Sequence, residues 1–164
     1  LRNGQVQQEA APFTVYNRPI NIFVAHFVGG ANFLEGFVAE ADQQGSWIQL
    51  RNGLVVRTKE IGFSFGERIV LMIREEMTQI VRKRKRKEEV NLLSAIVSSV
   101  TFLGSFIVYE ISLENGDVVN SKVPTRLSKE NISVGEKVYV RLEPEHVKTY
   151  PYPTAGLYKE LEVI

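Results

Sequence analysis

The feature of this 164-residue sequence that most restricts its fold is an internal repeat. The segment GERIVLMIREEM at 66–77 resembles GEKVYVRLEPEH at 135–146. Two further pairs precede it in the same order: LRNGLVVR at 50–57 with LENGDVVN at 113–120, and NFLEGFVAEA at 32–41 with NLLSAIVSSV at 91–100. Because all three pairs keep their order, the sequence predicts two homologous units, over 32–80 and 90–164.

The spacing between the paired segments grows along the chain, from 59 to 63 and then to 69 positions. Each increase indicates residues inserted into the second unit. The sequence places one insertion near TFLGSF and the other near VPTRLSKEN.

Both units have the pattern of short β-strands. Apolar residues alternate with polar ones from Ile107 to Leu113, and Asn115-Gly116 then provides a hairpin turn. Asn52-Gly53 offers the same turn in the first unit. Each unit has about five such strands, and small units of this kind close into barrels that leave no free sheet edge. The predicted fold is therefore mainly β, with two OB-like small barrels related by the repeat.

Residues 1–31 have a different pattern. Pro12 and Pro19 each stand where a helix can begin, and Phe23, Val24 and Phe27 recur at helical spacing. Gly29-Gly30 is a typical helix end. The sequence predicts short connector helices here, one of them from Ile20 to Val28.

A run of six cations, Arg82–Lys87, stands between the two units. Nucleic acid or acidic lipid could bind such a run. However, the formal net charge of the chain is only +1, and no aromatic residue is interleaved to stack on bases. We interpret 81–89 as a solvated basic linker or hairpin and expect no nucleic-acid partner, while the role of the run stays open.

The sequence has no recognisable catalytic, cofactor or metal site. There are no cysteines, which excludes disulfides, thiolate nucleophiles and sulfur-ligated zinc. His26 and His146 are the only histidines, and neither has the carboxylate and histidine neighbours of a catalytic or metal centre. We expect no enzyme activity from this chain.

Five residues are candidates for a ligand site or an interface. Gly104 and Ser105, in the sequence FLGSF, could direct backbone N–H groups and a hydroxyl toward a small anion, although a turn that shapes the barrel is the favoured interpretation. Trp47, Tyr150 and Tyr152 are aromatic residues of the kind enriched at interfaces. The last two lie in a Pro-rich segment that we expect to run as an extended arm against a barrel.

Residues 3–36 resemble the end of the nucleotide-binding domain in the ATP-binding subunits of ABC importers, so we interpret 1–31 as the tail of that domain with the connector helices. The resemblance is carried by Gly4, Val6, Gln8, Pro12, Tyr16, Pro19, Phe23–Gly29, Asn32, Leu34 and Gly36. The segments FLGSFIVYEISLENGDVVNSKVPT and VGEKVYVRLEPEHVKTYP resemble the C-terminal TOBE domain of the same family, a transport-associated OB-like barrel. In one departure, the Arg-Pro-Glu of that family reads Arg74-Glu75-Glu76 here.

The resemblance implies a regulatory, dimer-supporting region of an importer subunit of the sugar, polyamine or iron type. The sequence lacks the phosphate loop, the signature motif and the magnesium-binding strand of such a motor, so ATP and magnesium would belong to the parent's motor domain. The first residue, Leu1, fits a fragment or a processed product.

The implied partners are the parent's own nucleotide-binding domain, a second copy in a homodimer, and permease subunits. The implied location is cytoplasmic, at the inner face of the cell membrane. An OB-fold nucleic-acid-binding module and a small-anion or sugar sensor remain as alternatives, and the transported substrate stays open.

Overall fold

The computed structural model describes residues 1–85, 89–128 and 131–162. Three short α-helices occur in this part of the chain: α1 Pro12–Asn17, α2 Ile22–Phe27 and α3 Leu157–Leu161. The strands of the first unit are β1 Ala31–Asp42, β2 Gly45–Leu50, β3 Val55–Thr58, β4 Arg68–Arg74 and β5 Thr78–Val81. Those of the second unit are β6 Leu92–Phe102, β7 Phe106–Leu113, β8 Val118–Pro124, β9 Lys137–Leu142 and β10 Lys148–Pro151.

The strands form two five-stranded antiparallel sheets that exchange one strand. The first sheet has the order β10-β4-β1-β2-β3, and the second has the order β5-β9-β6-β7-β8. The last strand of each unit therefore belongs to the sheet of the other unit. Two 3₁₀ turns carry the chain across: Glu75–Met77, the first crossover, and Pro144–His146, the second crossover.

Both sheets curl until their edge strands meet, which confirms the predicted mainly β fold with two OB-like units. In the first sheet the Thr58 hydroxyl donates to the Val147 carbonyl at 2.7 Å, joining β3 to the start of β10. In the second sheet the Ser121 hydroxyl donates to the Thr78 carbonyl and joins β8 to β5. These two bonds occupy equivalent positions in the repeat. The sequence did not reveal that each barrel is completed by a strand of the other unit.

The repeat in the sequence is also a repeat in backbone geometry. The pairing of β1 with β2 shifts register between Val38 and Glu40, and the pairing of β6 with β7 shifts between Val97 and Ser99. The second bulge stands 59 positions after the first, which is the offset between the paired segments at 32–41 and 91–100. A bulge increases local twist, which helps a short sheet to curl.

The two Asn-Gly turns differ from the prediction in one respect. Asn52 and Gly53 have φ of 55° and 79°, as expected, whereas only Gly116 has a positive φ in the second turn. Asn115 instead is buried and donates to the Arg51 carbonyl at 3.1 Å, while Asn52 donates to the Asn115 carbonyl at 3.0 Å. The turns thus bind each other across the repeat.

Two buried asparagines connect the units in the same reciprocal way. Asn32 Nδ2 donates to the Asn120 carbonyl at 2.8 Å, and the Asn120 N–H donates to Asn32 Oδ1 at 2.7 Å. Asn91 makes the equivalent pair of bonds with the Arg57 carbonyl and N–H, both at 2.7 Å. Each asparagine side chain thus pairs with an edge strand of the opposite unit, as a neighbouring strand would.

One hydrophobic cluster runs through both sheets. Fully buried side chains of the first sheet, such as Ile48 and Leu71, belong to the same cluster as Ile111, Val140 and Leu142 of the second. The core does not divide at the boundary between the units.

The connector helices are present. α1 begins at Pro12, and α2 begins after Asn21, whose Oδ1 accepts from the Val24 N–H at 2.9 Å as a helix cap. In the described ranges no helix is long and apolar enough to cross a bilayer.

The basic run is partly engaged with the second barrel. Arg82 Nε donates to Glu136 Oε1 at 2.6 Å, and the Arg84 guanidinium lies 6.0 Å from the centre of the Tyr139 ring. Residues 86–88, in the second half of the predicted linker, lie outside the described residues.

Replacing Asn32 with alanine should lower the free energy of unfolding by about 1–3 kcal/mol, because the backbone N–H and carbonyl of the half-buried Asn120 lose their partners. Urea denaturation measures the change. Asn131→Ala, at an exposed asparagine, is the control and should unfold like the unchanged chain. Equal midpoints for all three proteins would contradict the role of Asn32.

Candidate functional site

The connector helices join the barrels at a single arginine. Arg74 ends β4, and its Nη1 donates to the carbonyls of Ala25 at 2.8 Å and Gly29 at 3.2 Å. Its Nη2 donates to the Tyr16 carbonyl at 2.9 Å. These carbonyls lie at the carboxyl ends of α1 and α2, where backbone acceptors lack partners within the helix and the helix dipole is negative. One guanidinium therefore holds both helix ends.

Arg74 is buried, with 7% of its surface exposed, and burial lowers its pKa. The group nevertheless stays charged, since arginine does not lose its proton in proteins. Its guanidinium carbon lies 4.3 Å from the centre of the Tyr16 ring, and the Tyr16 hydroxyl donates to Glu76 Oε1 on the first crossover. The ring quadrupole and the three carbonyls compensate part of the cost of removing this cation from water, since the buried Nε has no hydrogen-bond partner among the described residues.

Two glycines lie where the connector approaches this point. A Cβ at Gly30 would overlap the Glu75 carboxylate, and one at Gly29 would lie 3.2 Å from Tyr16 Cε2. The Glu75 N–H also donates to the Gly30 carbonyl at 3.3 Å. The chain thus passes directly from α2 into β1 along the first crossover.

The same crossover contacts the second barrel. Asn120 Nδ2, on β8, lies 3.4 Å from Glu75 Oε1, and the Asn120 backbone is bound by Asn32 of β1. We call Arg74, Glu75, Glu76, Tyr16 and the Gly29-Gly30 pair the joint. It touches the connector and both barrels.

The repeat explains why there is one joint and not two. The second-unit equivalent of Arg74 is Glu143, and the equivalent of Glu75 is Pro144. A carboxylate at the end of β9 would repel helix carbonyls, and a proline has no N–H to donate. Only the first crossover can therefore receive the helices in this way.

A tyrosine on β10 supports the connector from its other side. The Tyr150 hydroxyl donates to the Pro19 carbonyl, between α1 and α2, at 2.8 Å. Burial raises the pKa of Tyr150 to about 12. Tyr150 was predicted as an interface residue, and within this chain it binds the connector to the strand contributed by the second unit.

The other sequence candidates lie apart from the joint. Tyr152 follows β10 and stacks under the Arg68 guanidinium at 3.7 Å, and Trp47 on β2 contacts the Arg57 guanidinium at 5.1 Å. Gly104 and Ser105 form the turn between β6 and β7, where their carbonyls accept bonds from Thr125. These residues do not form one site, and their ligand or interface role stays a prediction.

Two open grooves lie at equivalent places on the barrels. The larger, of about 790 Å³, is lined by Glu35, Gln49 and Arg68 among others. The smaller, of about 590 Å³, is lined by the equivalent residues Ser94, Ser112 and Lys137 among others. Among the described residues no group of three or more histidines, cysteines or carboxylates could hold a metal ion.

The profile of the TOBE domain matches residues 67–148 of the sequence. The chain belongs to the TOBE domain family. This match begins at β4 and ends at the start of β10. It therefore covers both crossovers and all five strands of the second sheet, β5 to β9. Helices α1 and α2 and strands β1 to β3 precede it, and α3 follows it.

Curated relatives extend the similarity to the connector. A "Spermidine/putrescine import ATP-binding protein PotA 2" from Pseudomonas aeruginosa is 30% identical over 125 residues, which are 76% of this chain and 34% of that protein. A PotA protein from Rubrobacter xylanophilus is 30% identical over 149 residues, 89% of this chain and 38% of that protein. This TOBE chain thus spans about a third of the length of these relatives.

Among solved structures, the cytoplasmic molybdate-binding protein ModG aligns with a TM-score of 0.64. The alignment covers 72% of this chain and 94% of ModG, at 14% identity. At that identity the likeness shows a shared fold, in agreement with the two OB-like units described above.

Arg74→Met should detach the connector helices from the TOBE barrels, because it removes about 1.5–3 kcal/mol of charged hydrogen bonding at buried carbonyls. We expect proteolysis within residues 9–28 to become about tenfold faster or more. Arg18→Met, at an exposed connector arginine, is the control. Equal cleavage rates in both variants would contradict the role of Arg74.

Tyr150→Phe should change the response to alkaline pH. The folded pKa of Tyr150 is about 12, above its ordinary value of 10.0, so its contribution to stability is complete below pH 10 and is lost as the pH rises through 12. We expect the phenylalanine variant to be less stable at pH 8, because the Pro19 carbonyl loses its donor, and to show a shallower decline between pH 10 and 12. Chemical denaturation across this range measures both, and parallel curves would contradict the assignment.

Proposed function

We propose that this chain is the regulatory, dimer-supporting C-terminal region of the ATP-binding subunit of an ABC importer. In this proposal the chain itself is not catalytic. ATP and magnesium bind to the parent's motor domain, and the TOBE barrels steady and modulate that motor. The curated relatives, whose names describe import ATP-binding proteins, support this class of parent.

The observation that carries the proposal is the joint at Arg74. A regulatory region must transmit a change of position between the motor and the barrels, and this requires a rigid contact. The guanidinium binds the ends of both connector helices, and the first crossover beneath it continues into both barrels. A movement of α2 would therefore move the two barrels as one body.

The effect on the motor would be energetic rather than chemical. If the barrels favour one arrangement of two motor domains, they shift the equilibrium between open and closed states by their difference in free energy between the two. A coupling of 1–3 kcal/mol, usual for such systems, corresponds to about a 5- to 150-fold change. The partners in this proposal are the motor domain, a second copy and the permease subunits, at the inner face of the membrane.

The structure favours this function over an oligonucleotide-binding barrel. Arg82 is bonded to Glu136 and to the Asn131 carbonyl, and Arg84 lies against Tyr139, so these cations of the basic run face their own barrel. Trp47 and Tyr152 are covered by arginines instead of being open to stack on bases. We therefore do not propose nucleic-acid binding as a function of this chain.

The test uses the full-length parent subunit assembled with its permease. Arg74→Met should leave ATP binding by the isolated subunit unchanged, because the joint lies outside the motor. In the assembled importer we expect the ratio of transport to ATP hydrolysis to fall about fivefold or more, since the barrels no longer follow the motor.

Arg18→Met, on the connector but outside the joint, serves as the control and should transport normally. Normal coupling in the Arg74→Met importer, with detachment of the helices verified by proteolysis, would exclude the proposed transmission through the joint.

A further inference from the structure

The hairpin of β6 and β7 extends past its own sheet. Strand β6 pairs with β9 from Leu92 to Ile96 and with β7 as far as Phe102. From Ser98 onward, β7 is the one strand paired with β6 in the described part of the chain. We call residues 98–106 the hairpin tip. Along the tip, the outer side of β6 is an open strand edge.

The tip is apolar and exposed. The exposed fractions are 67% for Phe102, 58% for Leu103, and 39% for both Val100 and Phe106. No charged residue occurs anywhere in 95–109, although charged residues make up 24% of the chain. An open strand edge with such side chains is a template for pairing with another strand.

The first unit has the same open edge but blocks it. Strand β1 pairs with β4 only as far as Phe37, so its last residues also have β2 alone as a paired neighbour. There Glu40 and Asp42 carry negative charges, and natural proteins use charged side chains on edge strands to prevent pairing. The second-unit equivalents, at an offset of 59, are the neutral Ser99 and Thr101.

The insertions in the second unit lengthen this edge. The β6–β7 hairpin reaches further than the β1–β2 hairpin, and the longer β8 supports it through pairing of Pro124 with Phe106. The Thr125 hydroxyl then donates to the Gly104 carbonyl at 2.6 Å. The insertion near TFLGSF builds this projecting hairpin, and the described part of the insertion near VPTRLSKEN, up to Ser128, braces it. Residues 129–130 of that second insertion lie outside the described residues.

We propose that the hairpin tip is the contact between two copies of this chain, with β6 of one copy pairing antiparallel with β6 of the other. This inference rests on the proposed dimer-supporting function and identifies its surface. In a twofold contact each surface meets its own copy, so a charged strand would repel itself whereas a neutral apolar one does not. Val100 and Phe102 would then be covered by the same residues of the second copy.

Because the tip spans only residues 98–106, we expect a small contact and weak dimerisation of the isolated chain. Interfaces below about 1,200 Å² belong to transient complexes. Sedimentation equilibrium from micromolar to millimolar concentration should show a monomer–dimer equilibrium. A chain that stays monomeric throughout would overturn the proposal.

The decisive variant transfers the charges of the first unit to the second. Ser99→Glu with Thr101→Asp should weaken the dimer at least tenfold, because four like charges would meet at the axis. Gln43→Glu with Gln49→Glu adds the same charge to exposed positions of the first unit and should leave the dimer unchanged. Equal dimerisation in both variants would overturn the tip as the contact, while the dimer-supporting function and the joint would stand.

A cysteine test maps the contact directly, since the natural chain has no cysteine. Val100→Cys should form a disulfide-linked dimer under mild oxidation. Ala41→Cys, the equivalent exposed position of the first unit, should not. Cross-linking at Ala41 instead, or binding of the unchanged chain to anionic phospholipid vesicles that Phe102→Ser abolishes, would assign the tip another role and overturn the proposal.

Discussion

The exchange of β5 and β10 is the constraint on which the rest of this structure depends. A five-stranded barrel that lacks one strand has an open edge and an incomplete core, and each unit here supplies the strand that completes the other. The Asn32 and Asn91 side chains add bonds to the opposite unit. Separating the units would remove the exchanged strand from each barrel and break the Asn32 and Asn91 bonds. Because buried polar groups without partners cost free energy, this separation is unfavourable. The shared hydrophobic cluster follows from the same geometry.

This near-symmetric body offers two equivalent places for every function, and a few residues decide which place is used. Arg74 lets the first crossover donate hydrogen bonds to the carbonyls at the helix ends. At the equivalent position of the second crossover, Glu143 cannot donate such bonds. At the hairpin edges it is the first unit that carries the charged residues, Glu40 and Asp42, where the second has hydroxyl side chains. The connector therefore binds at one crossover and the apolar hairpin projects from the other unit. Duplication provides the scaffold, and these substitutions separate the roles.

Local patterns made much of the fold predictable. Alternation from Ile107 to Leu113, the Asn52-Gly53 turn and the proline that begins α1 each depend on neighbours within a few residues, so they can be identified without knowing the tertiary structure. The buried Asn115 departs from its expected turn geometry, and its side chain donates to the Arg51 carbonyl, 64 positions away, a contact that no local pattern indicates. The joint could not be predicted in the same way. Two signals were available: Arg74 closes a strand that is apolar from Ile69 to Ile73, and it begins the segment that stands where the family has Arg-Pro-Glu. Its three acceptors are backbone carbonyls, which carry no residue identity.

The sequence by itself determined the duplication, the mainly β character, the connector helices and the location of the insertions, because all of these follow from periodicity and from residues close together along the chain. Only the tertiary structure decided which unit owns each strand, since β5 and β10 have patterns compatible with either barrel. It likewise decided that Arg74 meets the ends of α1 and α2, and that the hairpin tip is an exposed edge. Those features depend on contacts between residues tens of positions apart. The geometry of the two curled sheets selects such partners, and local conformational preference does not.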